Sequence, residues 1–223
     1  MIKKITKTVF FASAAMLFFL FSPSVFAQKE AKAREYLDKS SAVFEKAGPL
    51  SIPFTLNIRD VSNQLTESFN GILDVKGTKF RLNVPGNEIW FDGKTQWLLQ
   101  KDYDEVQITE PSEQEMQIMN PVAILGMYKK NCNYKYRGEK TDENGRKVQE
   151  IELFPQVKGN EIKCIMMQIS AVDFLPVKIH IFLKNKMENI IHIHKYQKNA
   201  AVTDSHFVFN PKDYPDAEII DLR

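Results

Sequence analysis

An alternation of apolar and polar side chains with a period of two runs through most of the chain and limits its fold more than any other feature. In segment 52–58 apolar residues alternate with polar ones, and segments 69–75, 80–84 and 177–183 repeat the pattern. Because successive side chains of a β-strand point to opposite faces, this pattern predicts strands with one dry face. Pro53 lies inside the first strand and predicts that it is an edge strand or carries a bulge.

The remaining apolar segments of the chain complete a predicted sheet. Further strands are expected at 89–91, 94–99, 105–108, 133–137, 148–154, 162–172 and 189–196, mostly in sequential order. Asp92-Gly93 predicts a two-residue hairpin turn in which both residues take positive φ. We therefore expect a mainly β fold of about ten or eleven strands, large enough to curl or close. Strands such as 89–91 are apolar on both sides, which requires cover on both faces or an interior lined for an apolar guest.

Two helical segments interrupt the strand pattern. Segment 29–47 has apolar residues at three- and four-residue spacing and ends at Gly48-Pro49. A capping box at 112–115 and Asn120-Pro121 predict short helices in the middle of the chain. This middle region concentrates Met116, Met119 and Met127. Methionine adapts to varied apolar guests, so the region is predicted to be a lid on an apolar pocket, with plain core filling as the alternative.

The first 27 residues have the three-part pattern of a secretory signal peptide. Three lysines precede an almost unbroken apolar run at 9–21, and small residues precede a break after Ala27. The run of about 13 residues is shorter than the ~20 that a membrane-spanning helix needs. We expect cleavage after Ala27, export to a bacterial periplasm and one domain at 28–223.

The rest of the composition excludes several classes of function. With 223 residues and a formal net charge of +2, the chain has no basic excess that would favour nucleic acid as a partner. It shows no nucleophile elbow and no phosphate-binding loop, so nothing in it indicates an enzyme or a cofactor. His192 and His194 share one face of a predicted strand. A metal-dependent hydrolase using this pair is one alternative, and a solvated strand face is the simpler interpretation.

The two cysteines, Cys132 and Cys164, could pair in an oxidising compartment. In a plain meander they lie opposite Phe154 and Glu152 of the strand between them. Two strand spacings are about 9 to 10 Å, whereas a disulfide needs Cα atoms within ~7 Å. We therefore predict two free thiols.

Several short motifs resemble the periplasmic lipoprotein carrier family LolA. They are a leader without a lipid-attachment cysteine and five further motifs that span nearly all of the exported chain in the family's order: Leu37-Asp38-Lys39, Gly71-Ile72-Leu73-Asp74-Val75-Lys76, Asp92-Gly93-Lys94-Thr95-Gln96-Trp97, Asn120-Pro121 and Phe207-Val208-Phe209-Asn210-Pro211. The hairpin motif at 92–97 is the most specific of these.

The resemblance implies a half-open, unclosed antiparallel β-barrel whose helices cover a hydrophobic cavity. Proteins of this family take acylated lipoproteins from an inner-membrane ABC transporter, LolCDE, and carry them to an outer-membrane acceptor, LolB, with no covalent chemistry on the carrier. We expect the same of this chain, as a monomer. A carrier or sensor of another lipid or glycolipid in the same cavity is the alternative.

Nine residues are predicted to line the lipid-binding cavity. Resemblance indicates six of them, while strand parity and position in the lid indicate Phe54, Leu56 and Met127; the six are Leu37, Phe80, Leu82, Ile89, Val122 and Leu125. The chain departs from the family at one point. The family often has Lys-Arg-Pro after the second strand, and its Arg holds the lid closed, whereas here the equivalent stretch is Lys76-Gly77-Thr78. The role of the family Arg in holding the lid closed is therefore not assigned to Gly77.

Overall fold

The computed structural model describes residues 24–60, 66–112, 124–130, 132–156, 159, 161–198 and 201–223, with the backbone alone for residues 24–27 and 125. The predicted capping box and the start of the mid-chain helix, including Met116, Met119 and Val122, lie outside these residues.

The described chain forms one sheet of 13 strands in the order β13-β6-β5-β4-β3-β2-β1-β11-β10-β9-β8-β7, with β12 paired beside β11 on β1. All neighbours are antiparallel except β13, which runs parallel to β6. The strands are β1 (Leu50–Asp60), β2 (Glu67–Lys76), β3 (Lys79–Val84), β4 (Asn87–Phe91), β5 (Gln96–Gln100), β6 (Glu105–Thr109), β7 (Cys132–Thr141), β8 (Lys147–Pro155), β9 (Ile162–Ser170), β10 (Pro176–Leu183), β11 (Met187–Ile193), β12 (Gln197–Lys198) and β13 (Glu218–Asp221). Since β7 and β13 are free edges, the sheet is unclosed, as predicted.

The sheet wraps around its helices. In the strand order β4 and β8 are seven spacings apart, which is roughly 34 Å in a flat sheet. A helix is only about 10–12 Å wide. Yet Ile89 of β4 and Leu153 of β8 are both buried in one cluster with Leu37 of the N-terminal helix. A curled sheet accounts for burial at both ends of that span, and sheets of this size rarely stay open without curling.

The N-terminal helix α1 (Ser24–Ala47) lies on what we call the inner face of the sheet. It begins five residues before the predicted position 29 and ends at Ala47. The next residue, Gly48, has a φ of +68°, which favours glycine. Its buried stripe is Ala33, Leu37 and Ser40. Tyr36 stacks on Tyr136 of β7 at 6.5 Å between ring centroids, and this fixes the helix to the edge strand.

The opposite, outer face has a second apolar cluster on β4–β6. Trp90, Leu99 and Val106 pack there against Phe209 of the C-terminal segment. That segment carries two 3-10 helices (Asp204–Phe207 and Pro211–Asp213) and is not the strand-like run its Phe-Val-Phe sequence resembles. Strand 89–91 is therefore apolar on both sides because both of its faces are covered.

Pro53 does not mark an edge strand, but it lies beside an irregularity of the kind that the alternative prediction, a bulge, describes: the register of β1 shifts by one residue between Phe54–Ile193 and Ser51–Gln197. β1 lies inside the sheet between β2 and β11, with Pro53 paired to Ile72 in an unbroken register. The partner strand is interrupted at this point, since β11 ends at Ile193 and β12 begins at Gln197. The Pro53 carbonyl accepts the N–H of His194 (3.0 Å) on that side. Because the N–H and C=O of one strand residue point the same way, the missing proline donor faces the interruption.

The hairpin at Asp92-Gly93 is present, but its predicted two-residue turn was wrong. Its loop has four residues, and of the pair only Gly93 has positive φ. The Asp92 carboxylate accepts the backbone N–H groups of Lys94 and Thr95, both at 2.8 Å, and this bonding stabilises the longer loop.

Both cysteines are free thiols, as predicted, and lie on strands separated by β8. The predicted register was wrong: Cys132 pairs with Pro155, and Glu152 pairs with Met166. By strand alternation Cys132 shares the inner face with Tyr134, whereas Cys164 shares the outer face with Met166.

Candidate functional site: the helix-covered inner face of the sheet

The inner face is one continuous apolar surface. Seven of the nine residues predicted for the cavity belong to its cluster: Leu37, Phe54, Phe80, Ile89 and Met127 are buried, while Leu56 and Leu82 are partly buried against them. Val122 and the side chain of Leu125 lie outside the described residues. The structure adds inner-face residues that strand parity could have found, among them Leu73, Phe91, Ile151, Met167, Ile179 and Ile191.

Two polar atoms lie unpaired against this apolar surface. Ser40 is on the cluster-facing stripe of α1 next to Leu37, and Gln96 is paired with Phe91 on the inner face of β5. The Ser40 hydroxyl and the Gln96 carbonyl oxygen are buried without a hydrogen-bond partner among the described residues. A buried polar group without a partner costs free energy, so both atoms are available to a polar group that enters with an apolar ligand.

A short helix from the middle of the chain, α2 (Ile124–Met127), packs on α1. Ile124 and Met127 are buried in the inner cluster. Directly after α2 the Tyr128 hydroxyl donates to the Asp38 carboxylate at 2.5 Å, and the Lys129 ammonium donates to Glu45 at 3.2 Å. Burial, followed by the hydrogen bond to Asp38, raises the pKa of Tyr128 well above its ordinary value, so this phenol remains a donor.

Gly71 allows an inner-face ring to lie against the backbone. It is paired with Phe54, and a Cβ added to it would lie 2.5 Å from Cζ of the Phe54 ring and 2.9 Å from Cγ1 of Val84. The glycine therefore sets the position of the Phe54 ring.

The family departure at Gly77 has a backbone explanation. Gly77 and Thr78 form the two-residue turn between β2 and β3, and of the two only Gly77 has a positive φ, +61°. Glycine is preferred at this first position of a type II′ turn. The flanking Lys76 and Lys79 both bind Asp204 of the C-terminal segment at 2.8 Å. This turn is therefore tied to the outer face of the molecule.

His192 and His194 lie together on the outer face, as their spacing predicts. They line a polar pocket of about 710 Å³ that also contains Thr55 and Lys178. The described part of the chain holds no group of three or more His, Cys, Asp or Glu side chains arranged to bind a metal. No helix among the described residues is both long and apolar enough to span a bilayer.

Solved structures share this architecture. An uncharacterised conserved protein from Thermus thermophilus superposes with a TM-score of 0.57 at 14% identity, covering 85% of this chain and 99% of its own. A DUF1329 family protein from Desulfovibrio piger superposes with a TM-score of 0.50 at 10% identity, covering 81% and 97%. A putative outer membrane lipoprotein-sorting protein domain from Vibrio parahaemolyticus is more distant, with a TM-score of 0.49 at 9% identity over 81% and 96%. At this identity the first two likenesses concern the fold alone.

The fold and the inner face define the class of protein: an unclosed antiparallel β-barrel that wraps an apolar surface around a helix. Residues 23–184 match the family described as outer membrane lipoprotein carrier protein LolA. This match covers well over half of the chain, which therefore belongs to the LolA family of extracytoplasmic carriers of lipids and lipoproteins. Comparison with curated protein sequences gives no match.

Proposed function

We propose that this protein is a periplasmic carrier that holds the acyl chains of lipoproteins on its inner face and moves them from the inner to the outer membrane. The observation that carries the proposal is the continuous apolar cluster on the inner face, in a chain of the LolA family. The cluster is shared by α1, α2, β4, β8 and the strands that lie between β4 and β8 in the sheet, which are β3, β2, β1, β11, β10 and β9. The nine residues predicted for the cavity form the acyl-binding wall of this proposal.

An apolar wall suits this cargo because acyl chains are costly to expose. Each methylene group removed from water contributes about 0.8 kcal/mol. Leu, Ile, Phe and Met side chains cover such chains without directional bonds. The affinity can therefore be high enough to hold a lipoprotein and still allow its release.

The unpaired polar atoms of the wall fit the polar part of an acylated cysteine. An ester carbonyl entering with the acyl chains can accept a hydrogen bond from the Ser40 hydroxyl, and an amide N–H can donate to the Gln96 carbonyl oxygen. Both atoms lack a partner among the described residues. A wall with such atoms favours an acylated peptide over a plain hydrocarbon.

Removal of a signal peptide after Ala27 is compatible with the packing of α1. Among the side chains of α1 that the structure describes, from Gln28 onward, the first buried one is Ala33, and residues 28–32 are exposed. A chain beginning at Gln28 keeps the buried stripe intact. The proposed donor and acceptor are a LolCDE-type transporter and a LolB-type receptor, the protein acts as a monomer of one domain at 28–223, and it needs no cofactor.

The test is a pair of matched variants on neighbouring strands. Leu82→Glu places a carboxylate in the inner wall, whereas Ile72→Glu places one on the outer face, where Ile72 is 48% exposed. The full chain is expressed with its leader in a Gram-negative host, purified from the periplasm and extracted with organic solvent for mass spectrometry. The wild type and Ile72→Glu are expected to yield acylated peptides, and Leu82→Glu about tenfold less or lower still, because a buried charge is costly.

Circular dichroism of both variants confirms that they are folded. Extracts that contain free lipid or glycolipid instead of acylated peptides contradict the lipoprotein assignment. Equal yields from both variants contradict binding at the inner wall.

A further inference from the structure

The polar pocket on the outer face lies between the sheet and the β7–β8 turn. Its volume is about 710 Å³, and the charged and titratable side chains that line it are Asp142, Glu143, Arg146, Lys178, His192 and His194. Small-molecule sites occupy about 300–1,000 Å³. The pocket thus has room for a ligand, and it shares no residue with the inner cluster except Ile193.

Two irregularities in the strands shape this pocket. The pairing of β7 with β8 shifts register between Tyr136 and Gly138, where Gly138 takes a φ of +117°. The pairing of β9 with β10 shifts between Pro176 and Lys178, which makes Val177 an extra residue in the pocket wall. Bulges of this kind bend a strand and redirect its side chains. In the folded chain Glu143 of the turn lies 3.0 Å from His192 of β11, three strands away from β8.

Both carboxylates of the pocket are already engaged. Asp142 accepts the backbone N–H groups of Asn144 and Arg146 and the Nε of Arg146, all within 2.9 Å. Glu143 accepts from Nδ1 of His192. Lys178, by contrast, makes no hydrogen bond or ion pair with the described residues, and the two Nη atoms of Arg146 have no partner among them. The unused charge of the pocket is therefore positive.

The hydrogen bonds also indicate which ring nitrogen of each histidine carries the proton. Thr55 donates its only hydroxyl proton to the Asn70 side-chain oxygen (2.7 Å), so its contact with His194 at 2.9 Å is a bond donated by Nε2 of the histidine. His192 donates through Nδ1 to Glu143. Nε2 of His192 and Nδ1 of His194 have no hydrogen-bond partner among the described residues.

We propose that this pocket binds an anionic phosphate group, held by the Lys178 ammonium and by the two Nη atoms of Arg146 beside the histidine pair. A phosphate presents several acceptor oxygens, which match an ammonium group and the N–H groups of a guanidinium. The phosphate can belong to a free phosphorylated metabolite or to a phospholipid headgroup. This site is separate from the inner wall and does not depend on the proposed function.

Lys178 also argues against a metal ion at the histidine pair. It is paired with His192 across β10 and β11. Burial, and after it the charge of Lys178, lowers the pKa of His192 below the ordinary value. The same charge repels a metal cation and attracts an anion.

The test is a titration of the full-length protein with inorganic phosphate, followed by NMR of the histidine ring protons. We expect saturable shifts of His192 and His194 but not of His180, which bonds to Glu188 at 2.8 Å outside the pocket. Lys178→Gln is expected to weaken phosphate binding about tenfold, because it removes a charge-assisted hydrogen bond. Lys163→Gln removes an exposed charge from β9 outside the pocket and is expected to change nothing.

A titration with sulfate examines the role of the histidines, since the charge of sulfate is constant in the relevant pH range. The affinity of the protein for sulfate is expected to rise as the pH falls through the pKa of His192. The fixed charges of Lys178, Arg146, Asp142 and Glu143 face this ring and are the background to the change.

Glycerol 3-phosphate and vesicles of phosphatidylcholine with or without phosphatidylglycerol distinguish the two sources of the phosphate group. Selective binding of glycerol 3-phosphate identifies a free phosphate, and Lys178-dependent sedimentation with phosphatidylglycerol identifies a headgroup.

Several results would overturn the proposal. The first is that the histidine ring shifts with phosphate do not exceed those with chloride at equal ionic strength. The second is that Lys178→Gln and Lys163→Gln bind phosphate with equal affinity. The third is that the histidine rings respond to Zn²⁺ but not to phosphate or sulfate. Because none of these readouts involves acylated peptides, they leave the carrier function to its own test.

Discussion

At the scale of single residues, the inner wall depends on small side chains that leave room for large ones. The ring of Phe54 occupies the space above Gly71, where a Cβ would come within 2.5 Å of it. Phe54 is only 5% exposed and belongs to the inner cluster. Any side chain at position 71 must therefore displace this ring or the strand that carries it.

Gly71→Ala tests this arrangement. Overpacking of a closely packed core costs about 1–3 kcal/mol, so a loss of that size is expected in the free energy of unfolding from urea titration. If the inner wall binds acyl chains as proposed, a ring displaced into it competes with them, and the affinity for a fluorescent lipopeptide is expected to fall.

Gly126→Ala is the matched control for this variant. Gly126 is exposed in α2, and an added Cβ would meet no atom within 4 Å. We expect no loss of stability and a gain of at most about 1 kcal/mol, since alanine favours helices and its methyl group fills no occupied space. Equal stabilities of Gly71→Ala and the wild type would contradict the packing argument.

At the scale of elements, the segment of α2 is joined to α1 by two side-chain hydrogen bonds, one partly buried and one exposed, in addition to its apolar packing. Tyr128, which follows α2, is 6% exposed and donates to Asp38. The Lys129–Glu45 pair is solvent-exposed, with side-chain exposures of 49% and 66%. Partly buried hydrogen bonds to charged groups contribute more than exposed ion pairs. We therefore expect the tyrosine to hold the segment.

Tyr128→Phe removes this hydrogen bond and keeps the ring. The free energy of unfolding is expected to fall by about 1–2 kcal/mol, and amide hydrogen exchange in segment 124–130 is expected to accelerate. Lys129→Gln, the control, should change stability by less than about 0.5 kcal/mol. Equal exchange rates in both variants would show that the tyrosine does not hold α2.

The C-terminal segment is attached to the β2–β3 turn by an acid-sensitive contact. Hydrogen bonds from Lys76 and then Lys79 lower the pKa of Asp204 to about 2. Because the folded pKa lies below the unfolded value of 3.8, the contact stabilises the fold above about pH 4 and is lost as the pH falls toward about 2.

We therefore expect the segment around Asp204 to detach from the turn in this acid range. NMR shifts of the Lys76 and Lys79 ammonium groups should follow the titration. Asp204→Asn should remove the pH dependence of these shifts. A transition that persists in the variant would contradict the assignment to Asp204.

Much of this element structure could be predicted from the sequence, because strand periodicity is a local property. The alternation indicated the inward positions of Phe54 and Leu56, and the family resemblance indicated those of Leu37, Phe80 and Ile89. Contacts between distant segments could not be predicted in this way. Pro53 predicted an edge strand or a bulge, and the sequence alone could not show which, because the interruption of its partner strand exists only in the folded chain. The phosphate pocket forms only because the β7–β8 turn reaches His192, a contact that no local pattern encodes.

At the scale of the whole molecule, one sheet separates two apolar clusters with different roles. The inner cluster faces α1 and α2. The outer cluster lies on β4–β6 beneath the C-terminal segment, where Phe209 packs edge-on against Trp90 at 5.4 Å between ring centroids. The outer cluster stabilises β4–β6 from the face opposite α1, so this part of the sheet does not depend on the inner cluster alone.

Two phenylalanine truncations, one in each cluster, test this separation. Phe80 is fully buried in the inner cluster and Phe209 is 5% exposed in the outer one. Phe80→Ala and Phe209→Ala should each lower the free energy of unfolding by about 3–5 kcal/mol. Under conditions where both variants are folded, Phe209→Ala should bind a fluorescent lipopeptide as the wild type does, whereas Phe80→Ala should bind it more weakly because it removes part of the acyl-binding wall. Tryptophan fluorescence should change more in Phe209→Ala, since Trp90 loses its ring contact. Equal losses of affinity in both variants would mean that the two faces of the sheet act as a single unit.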